Sequence, residues 1–275
     1  MTKTLLCIGY GYSARALAPL LDGWTVIGTS RTPEKVAGLN VTGLVWPGTD
    51  LTPYLERATH VLMSASPFEH GDPVLADYAL QTFDFDWVGY LSTTGVYGDH
   101  GGAWVDESTP LNPSTRRGQQ RLAAEHAWRA TGVPLHIFRL AGIYGPGRGP
   151  FSKVRNGTAK RIVKPDQVFS RIHVDDIAQV LAASIANSNP GAVYNVCDDD
   201  PAPPEDVIAF AAQLLKLPIP PAVPFDQADM SDMARSFYAE NKRVRNDRIK
   251  SELGVQLQFP TYREGLQQLL ELELG

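Results

Sequence analysis

Cysteine is nearly absent from this chain: Cys7 and Cys197 are the two in 275 residues. Both sit inside apolar, strand-like runs and not at paired ligand spacing, which argues against a disulfide scaffold and a thiolate metal site; buried free thiols in a reducing compartment are expected. Long hydrophobic runs are also missing. No stretch reaches the roughly 18 apolar residues of a membrane span, and TLLCIG near the start is too short for a signal-peptide core, so a cytoplasmic protein is expected. Positive charge is in deficit, with 25 Lys and Arg against 30 Asp and Glu for a formal net charge of −5. That balance argues against a general nucleic-acid partner and toward a small-molecule ligand. Internal repeats and low-complexity tracts are lacking apart from the short proline cluster PIPPAVP. The length suits one large α/β domain, or a cofactor domain with a smaller lobe, and either buries a full core without disulfide or metal.

Apolar runs rich in β-branched residues alternate with helix-period segments: TLLCIG, a helix from Ser13, then WTVIGTS, VTGLVW, HVLMSAS and DWVGYLST. This alternation predicts βαβ units and a parallel, doubly wound α/β sheet of Rossmann type. STRRGQQRLAAEHAWRAT reads as a helix and PLHIFRLAGIYG as the strand after it. From Pro146 to Ser170 glycine, proline and basic residues interrupt the rhythm, which resumes with a helix at VDDIAQVLAASIAN and a strand at AVYNVCD. Beyond Asp198 helices alternate with proline-rich loops. The predicted division is a Rossmann domain over 1–145 and 171–197 and a small C-terminal substrate lobe over 146–170 and 198–275.

In CIGYGYSARALAPLL an apolar strand runs into Gly9, Gly11 and Ala14 at GxGxxA spacing, with Tyr12 and Ser13 opening a helix. Gly9 permits the tight turn, Gly11 lets backbone approach a pyrophosphate, and Ala14 allows close helix packing. This is the pattern of a dinucleotide cradle. An acid at the end of the second strand would accept hydrogen bonds from the ribose of NAD; the chain instead has Ser30, Arg31 and Thr32, and a guanidinium there pairs with a 2′-phosphate. NADP is therefore expected over NAD. Ligands of such sheets sit at the carboxyl ends of the strands, so Asp50, Ser64, Ala65, Ser66, Leu140, Gly142 and Ile143 join the candidate cofactor contacts.

LSTTGVYGD at 91–99, FRLAGIYGPGR at 138–148, RIHVDDIA at 171–178, VYNVCDD at 193–199 and the tail segment NKRVRNDRIKSELGVQLQFPTYREGL occur in the order and spacing of another group. Together they resemble the extended short-chain dehydrogenase/reductases, whose familiar members are nucleoside-diphosphate-sugar epimerases and dehydratases. The resemblance implies a dinucleotide-binding sheet with a small lobe closing over the substrate, and a group in which homodimers are common. It places Thr93 where the family has its catalytic Ser or Thr. The family's YxxxK motif, a tyrosine proton acceptor with a lysine that holds the nicotinamide ribose, aligns with Arg117 and Arg121, so the chain resembles an atypical member. A guanidinium titrates only above about pH 12 and cannot accept a proton. Arg121 then becomes a candidate for the ribose contact and Arg117 for an anionic group, unless Glu125 pairs with Arg121 as an ordinary helix-surface ladder. Tyr97 and Tyr144 are the candidates to replace the missing acid/base. His173 resembles a position that holds strand and helix together.

Between 148 and 171 the residues Arg148, Lys153, Arg155, Lys160, Arg161, Lys164 and Arg171 face a single acid, Asp166, and a second basic group follows at Lys242, Arg243, Arg245, Arg248 and Lys250. If these cations line the lobe, an anionic, nucleotide-sugar-like substrate held by Arg148 and Arg171 is expected; the plain alternative is solvated loops. No metal is expected, since the consecutive acids Asp198 to Asp200 suit a helix-entry loop better than a convergent cage. Two functional readings stay open. One is an NADP-dependent redox or isomerase enzyme; the other is a catalytically silent NADP-binding sensor or partner-binding protein.

Overall fold

The apolar runs assemble into one parallel sheet in a computed structural model that describes residues 3–274. Its strands are β1 (Thr4–Ile8), β2 (Thr25–Ser30), β3 (Thr42–Val45), β4 (His60–Met63), β5 (Trp87–Thr93), β6 (Leu135–Leu140) and β7 (Val193–Val196), in the order β7-β6-β5-β4-β1-β2-β3. Every residue of β4, β6 and β7 is buried, the pattern of strands covered on both faces. The chain winds outward from β1 through β2 to β3, then from β4 through β7 in the other direction. The reversal between β1 and β4 opens a crevice at their carboxyl ends, where doubly wound sheets bind ligands. Register aligns Cys7 with Gly28 on one side and Leu62 on the other, so the Gly9 loop emerges beside Thr29 and Ser64.

Helix α1 (Tyr12–Leu17) packs through Ala14 and Leu17 into the same cluster as Ile177, Ala178 and Leu181 of α3 (Val174–Ala186). The opposite face is covered by α2 (Arg116–Ala130), whose Ala124 and Trp128 pack with Val88, Tyr90 and Ile137. Thr115 caps α2 by accepting the Gly118 N–H at 3.1 Å. His173 caps α3, its Nδ1 accepting the Asp175 N–H at 3.3 Å, and its ring packs at a tilt against Phe259. Asp176, fully buried, accepts the N–H groups of Gln258 and Phe259 at 2.7 and 3.1 Å, tying the chain's tail to the start of α3. Cys7 and Cys197 are free and buried, and burial pushes both thiols up. Among the described residues no helix is long and apolar enough to cross a membrane.

The lobe has its own small core, where α4 (Pro204–Leu214) and α5 (Tyr262–Leu274) meet Phe151 and Val154. Two expectations change. PLHIFRLAGIYG is not one strand: the chain leaves the main sheet at Ala141, and Gly142–Tyr144 pairs instead with Arg171–His173. The tail also returns to the main core, because Val244, Ile249, Leu253 and Val255 pack in the cluster that contains β1 and β7 residues, while Arg243–Val244 pairs with Trp104–Val105. The segment around 242–257 therefore packs with the main sheet and not with the lobe core.

Candidate functional site

At the end of β1, Gly9 adopts φ +88°, and a Cβ there would lie 2.8 Å from the Ala65 nitrogen. Only glycine allows both the turn and this approach. The Ala65 position is fixed because Ser64 and Ala65 both donate to the Ile8 carbonyl, at 2.9 and 3.0 Å. Thr29, which the motif did not mark, holds the loop from the other side: its hydroxyl accepts the Gly9 N–H at 2.8 Å and its carbonyl the Tyr10 N–H at 2.8 Å. Gly11 occupies the N-cap of α1 with no side-chain cap, and a Cβ on it would meet only the Gly9 oxygen at 3.8 Å. The first N–H groups of α1 have no intrahelical acceptor, the arrangement that receives phosphate oxygens. Ala14 is fully buried, as close packing requires. The residues present fit a dinucleotide pyrophosphate.

Around this cradle lie the other strand ends. Ser30 ends β2, and Arg31 after it is exposed and makes no ion pair or side-chain hydrogen bond among the described residues. Thr32 starts the helix Pro33–Ala37. Asp50 is turned to local work, accepting from Thr52 N and Oγ1 at 2.9 and 2.8 Å, bonds that hold its carboxyl below the usual range. Ser66 is exposed beyond β4, Gly142 and Ile143 follow β6, and Leu140 is buried in the core, so only its backbone can face a ligand.

Thr93 closes β5 and caps the turn Thr94–Tyr97 by accepting the Gly95 N–H at 3.1 Å, leaving its O–H free to donate. Helix α2 starts directly against this turn: a Cβ on Gly118 would sit 2.8 Å from the Gly95 oxygen. Arg121 is half-buried over the Tyr90 ring, and its Nη1 donates to Tyr90 Oη at 3.1 Å and to the Leu91 carbonyl at 2.9 Å. It therefore braces the end of β5. Arg117 is exposed, stacked on Phe237 of the helix Asp232–Phe237 at 4.9 Å, with Nη2 3.4 Å from Ser236 Oγ.

The ladder between Arg121 and Glu125 does not form. Glu125 points into the sheet, where its two oxygens take Arg139 Nε at 3.2 Å and Nη2 at 2.9 Å and the Ser92 hydroxyl at 2.5 Å. Arg139 passes the network to Tyr97 at 2.9 Å, and Tyr97 donates to Asn195 at 2.7 Å. This buried chain escaped the motif reading because its members come from separate elements.

Tyr97 and Tyr144, the acid/base candidates, both lie buried. Tyr97 is fully buried in that network, and burial, partly offset by Arg139, pushes its phenol up to about 12. Tyr144 is also buried, its hydroxyl directed at the Thr261 carbonyl, 3.4 Å away, and against Gly265 of α5; burial first, then Asp198 and Asp176, push it up further still.

Arg148 and Arg171 do converge. They line one cavity of about 250 Å³ with Lys153, but neither Thr93, Arg117 nor Arg121 borders it. The second basic group is spent on local partners: Lys242 on Glu240, Arg245 on Asp247, Arg248 on Glu252 and Lys250 on Asp199, while Arg243 donates to the Gly102 carbonyl.

Over residues 71–197 the chain matches the model of the NAD dependent epimerase/dehydratase family. It is 26% identical to Protein YeeZ of Escherichia coli (strain K12) over 94% of this chain and 97% of that protein. A functionally unknown conserved protein from Silicibacter pomeroyi DSS shares 58% identity, a TM-score of 0.94 and full coverage of both chains. UDP-glucuronic acid 4-epimerase from Bacillus cereus, solved in complex with NAD, has the same fold, with a TM-score of 0.77 at 17% identity over 98% of this chain and 96% of that one.

Proposed function

We propose that the chain, which matches the model of the NAD dependent epimerase/dehydratase family over residues 71–197, is a cytoplasmic, NADP-binding member of that family performing a redox or isomerase step on a small anionic, nucleotide-sugar-like substrate. The observation that carries this reading is the Gly9 cradle, with its positive φ and its backbone pressed onto Ala65 beside an uncapped helix start. Arg31, at the end of β2, supports NADP over NAD, because no partner among the described residues already consumes its charge.

When bound, the nicotinamide supplies a hydride acceptor or donor. Thr93 hydrogen-bonds the reacting oxygen, since its own lone pair is occupied by Gly95 and its proton is free. Arg121 keeps the Tyr90–Leu91 end of β5 in place, and its remaining N–H groups are the candidates for the ribose hydroxyls. Arg117, lying over the Phe237 ring of the helix Asp232–Phe237, offers its free N–H groups to the substrate's anionic group.

One observation favours the second reading, a silent NADP sensor: neither arginine accepts a proton, and both tyrosines that could have done so are buried elsewhere. A panel of nucleotide sugars followed by nicotinamide absorbance and product analysis separates the two. Turnover that persists in Thr93→Ser and disappears in Thr93→Val supports the enzyme; NADPH binding without turnover on any member supports the sensor.

A further inference from the structure

Most of the cations between 148 and 171 have local partners. Arg155 pairs with Glu273, Lys160 with Asp229, and Arg161 and Lys164 donate to the carbonyls of Pro220 and Tyr238. Arg148 and Lys153 make no ion pair among the described residues, and together with Arg171 they line the cavity between the helix Phe151–Arg155, α4 and α5. Its other walls are apolar or aromatic, chiefly Ile208, Leu266 and Tyr262. Arg171 is rigidly set: Nη1 donates to the Phe169 and Ala202 carbonyls at 2.7 and 3.0 Å, while Nε and Nη2 have no hydrogen-bond partner among the described residues. Behind it lie buried Asp198, with Oδ2 unpartnered, and Asp200, which Arg263 takes at 2.9 Å. Arg148 and Lys153, with no ion pair among the described residues, remain uncompensated charge on the cavity wall.

The geometry points to this cavity as a second binding site, separate from the Thr93 corner, for a small organic acid: one carboxylate or phosphate group on a single apolar or aromatic ring. Size decides the class. An apolar cavity of about 150 Å³ accepts benzene, whereas drug-sized ligands occupy roughly 300–1,000 Å³. At about 250 Å³ the cavity suits one ring with its acid group. The anion meets Arg148, Lys153 and the free edge of Arg171; the ring lies against Ile208, Leu266 and Tyr262. Arg148 also stacks over the Tyr12 ring at 5.7 Å, and Tyr12 opens α1 at the glycine loop. A ligand that draws Arg148 into the cavity releases this contact, so occupancy shifts NADPH affinity, and NADPH shifts ligand affinity by the same factor.

The test is calorimetric titration of the full chain, with and without NADPH, using phenyl phosphate, benzoate and inorganic phosphate as probes. Phenyl phosphate is expected to bind at least tenfold tighter than inorganic phosphate. Ile208→Trp, which fills the apolar wall, should abolish its binding, and Lys153→Ala, an exposed change that leaves the fold intact, should weaken it about tenfold, the loss of one charge-assisted hydrogen bond. Equal affinities for the two phosphates, full binding in both variants, or no binding of any probe at millimolar concentration would each overturn the assignment. Because the titration without NADPH requires neither cofactor nor turnover, its failure is distinct from failure of the proposed function.

Discussion

Replacing Glu125 by alanine removes the carboxylate that pairs with Arg139 across the interface between α2 and the sheet. Both side chains are almost fully buried, at 1% and 4% exposure, and three hydrogen bonds converge on the carboxylate. In Glu125→Ala the guanidinium keeps its bond to Tyr97 and loses its counter-charge, while the Ser92 hydroxyl loses its acceptor. Breaking a buried pair by removing one partner costs about 3–5 kcal/mol. At roughly 2–3 °C per kcal/mol for a domain of this size, the melting temperature should fall by about 6–15 °C. The assay is thermal unfolding by circular dichroism, without cofactor. Replacing the pair together, Glu125→Leu with Arg139→Met, should cost less than the single change, because no lone charge is left behind. A Glu125→Ala melting temperature within about 2 °C of the parent would refute the reasoning, since an effect that small belongs to solvent-exposed pairs.

Three further outcomes follow from the same geometry. Burial pushes His60 down to about 4 despite the opposing pull of Asp86. The unfolded chain therefore binds a proton that the folded one refuses, and stability should drop as pH falls from about 6.5 to 4, by at most about 1.4 kcal/mol per pH unit. Asp176, pushed up to about 6 by burial, contributes the opposite slope as pH rises toward that value, so the check is the difference between the parent and His60→Phe in denaturant titrations at several pH values. Gly118→Ala, which would ordinarily favour a helix by up to about 1 kcal/mol, should instead lower the melting temperature and weaken NADPH binding, because its methyl group would press on Gly95 and Pro113 at 2.8 Å. Arg31→Asp should lose at least about tenfold in NADPH affinity and little in NADH affinity, the loss of one charge-assisted phosphate contact; equal losses for both cofactors would contradict that role.

The sheet was legible because each strand announces itself locally: LLCI, TVIGTS and WVGYLST are β-branched and aromatic runs bounded by turn residues, and parallel strands buried on both faces read as continuous apolar stretches. The glycine loop was legible because its small-residue spacing lies within six residues, Gly9 to Ala14, whereas Thr29, which holds the loop from β2, was not. What could not be read was partnership between distant elements. Glu125 stands four residues after Arg121, yet the rotation of α2 on the sheet turns it inward to Arg139, a choice set by packing. Tyr97 and Tyr144 sit in segments next to the crevice, and only the fold reveals that their hydroxyls point into the core and toward α5. The run at 135–144 breaks because Gly142 answers to Ser170 instead of to the main sheet, at 3.1 Å, a contact its composition does not encode. The cavity of Arg148, Lys153 and Arg171 draws its walls from four separate stretches of chain, so the basic excess was visible and its convergence was not.

The central claim is that the Gly9 loop and Arg31 form an NADP site, and titration of cofactor-free protein with NADPH and NADH by calorimetry tests it most directly. The account predicts saturable NADPH binding at one site per chain, at least about tenfold tighter than NADH, the equivalent of roughly 1.4 kcal/mol for the 2′-phosphate contact. Absence of binding by either cofactor, or a preference for NADH, would contradict it.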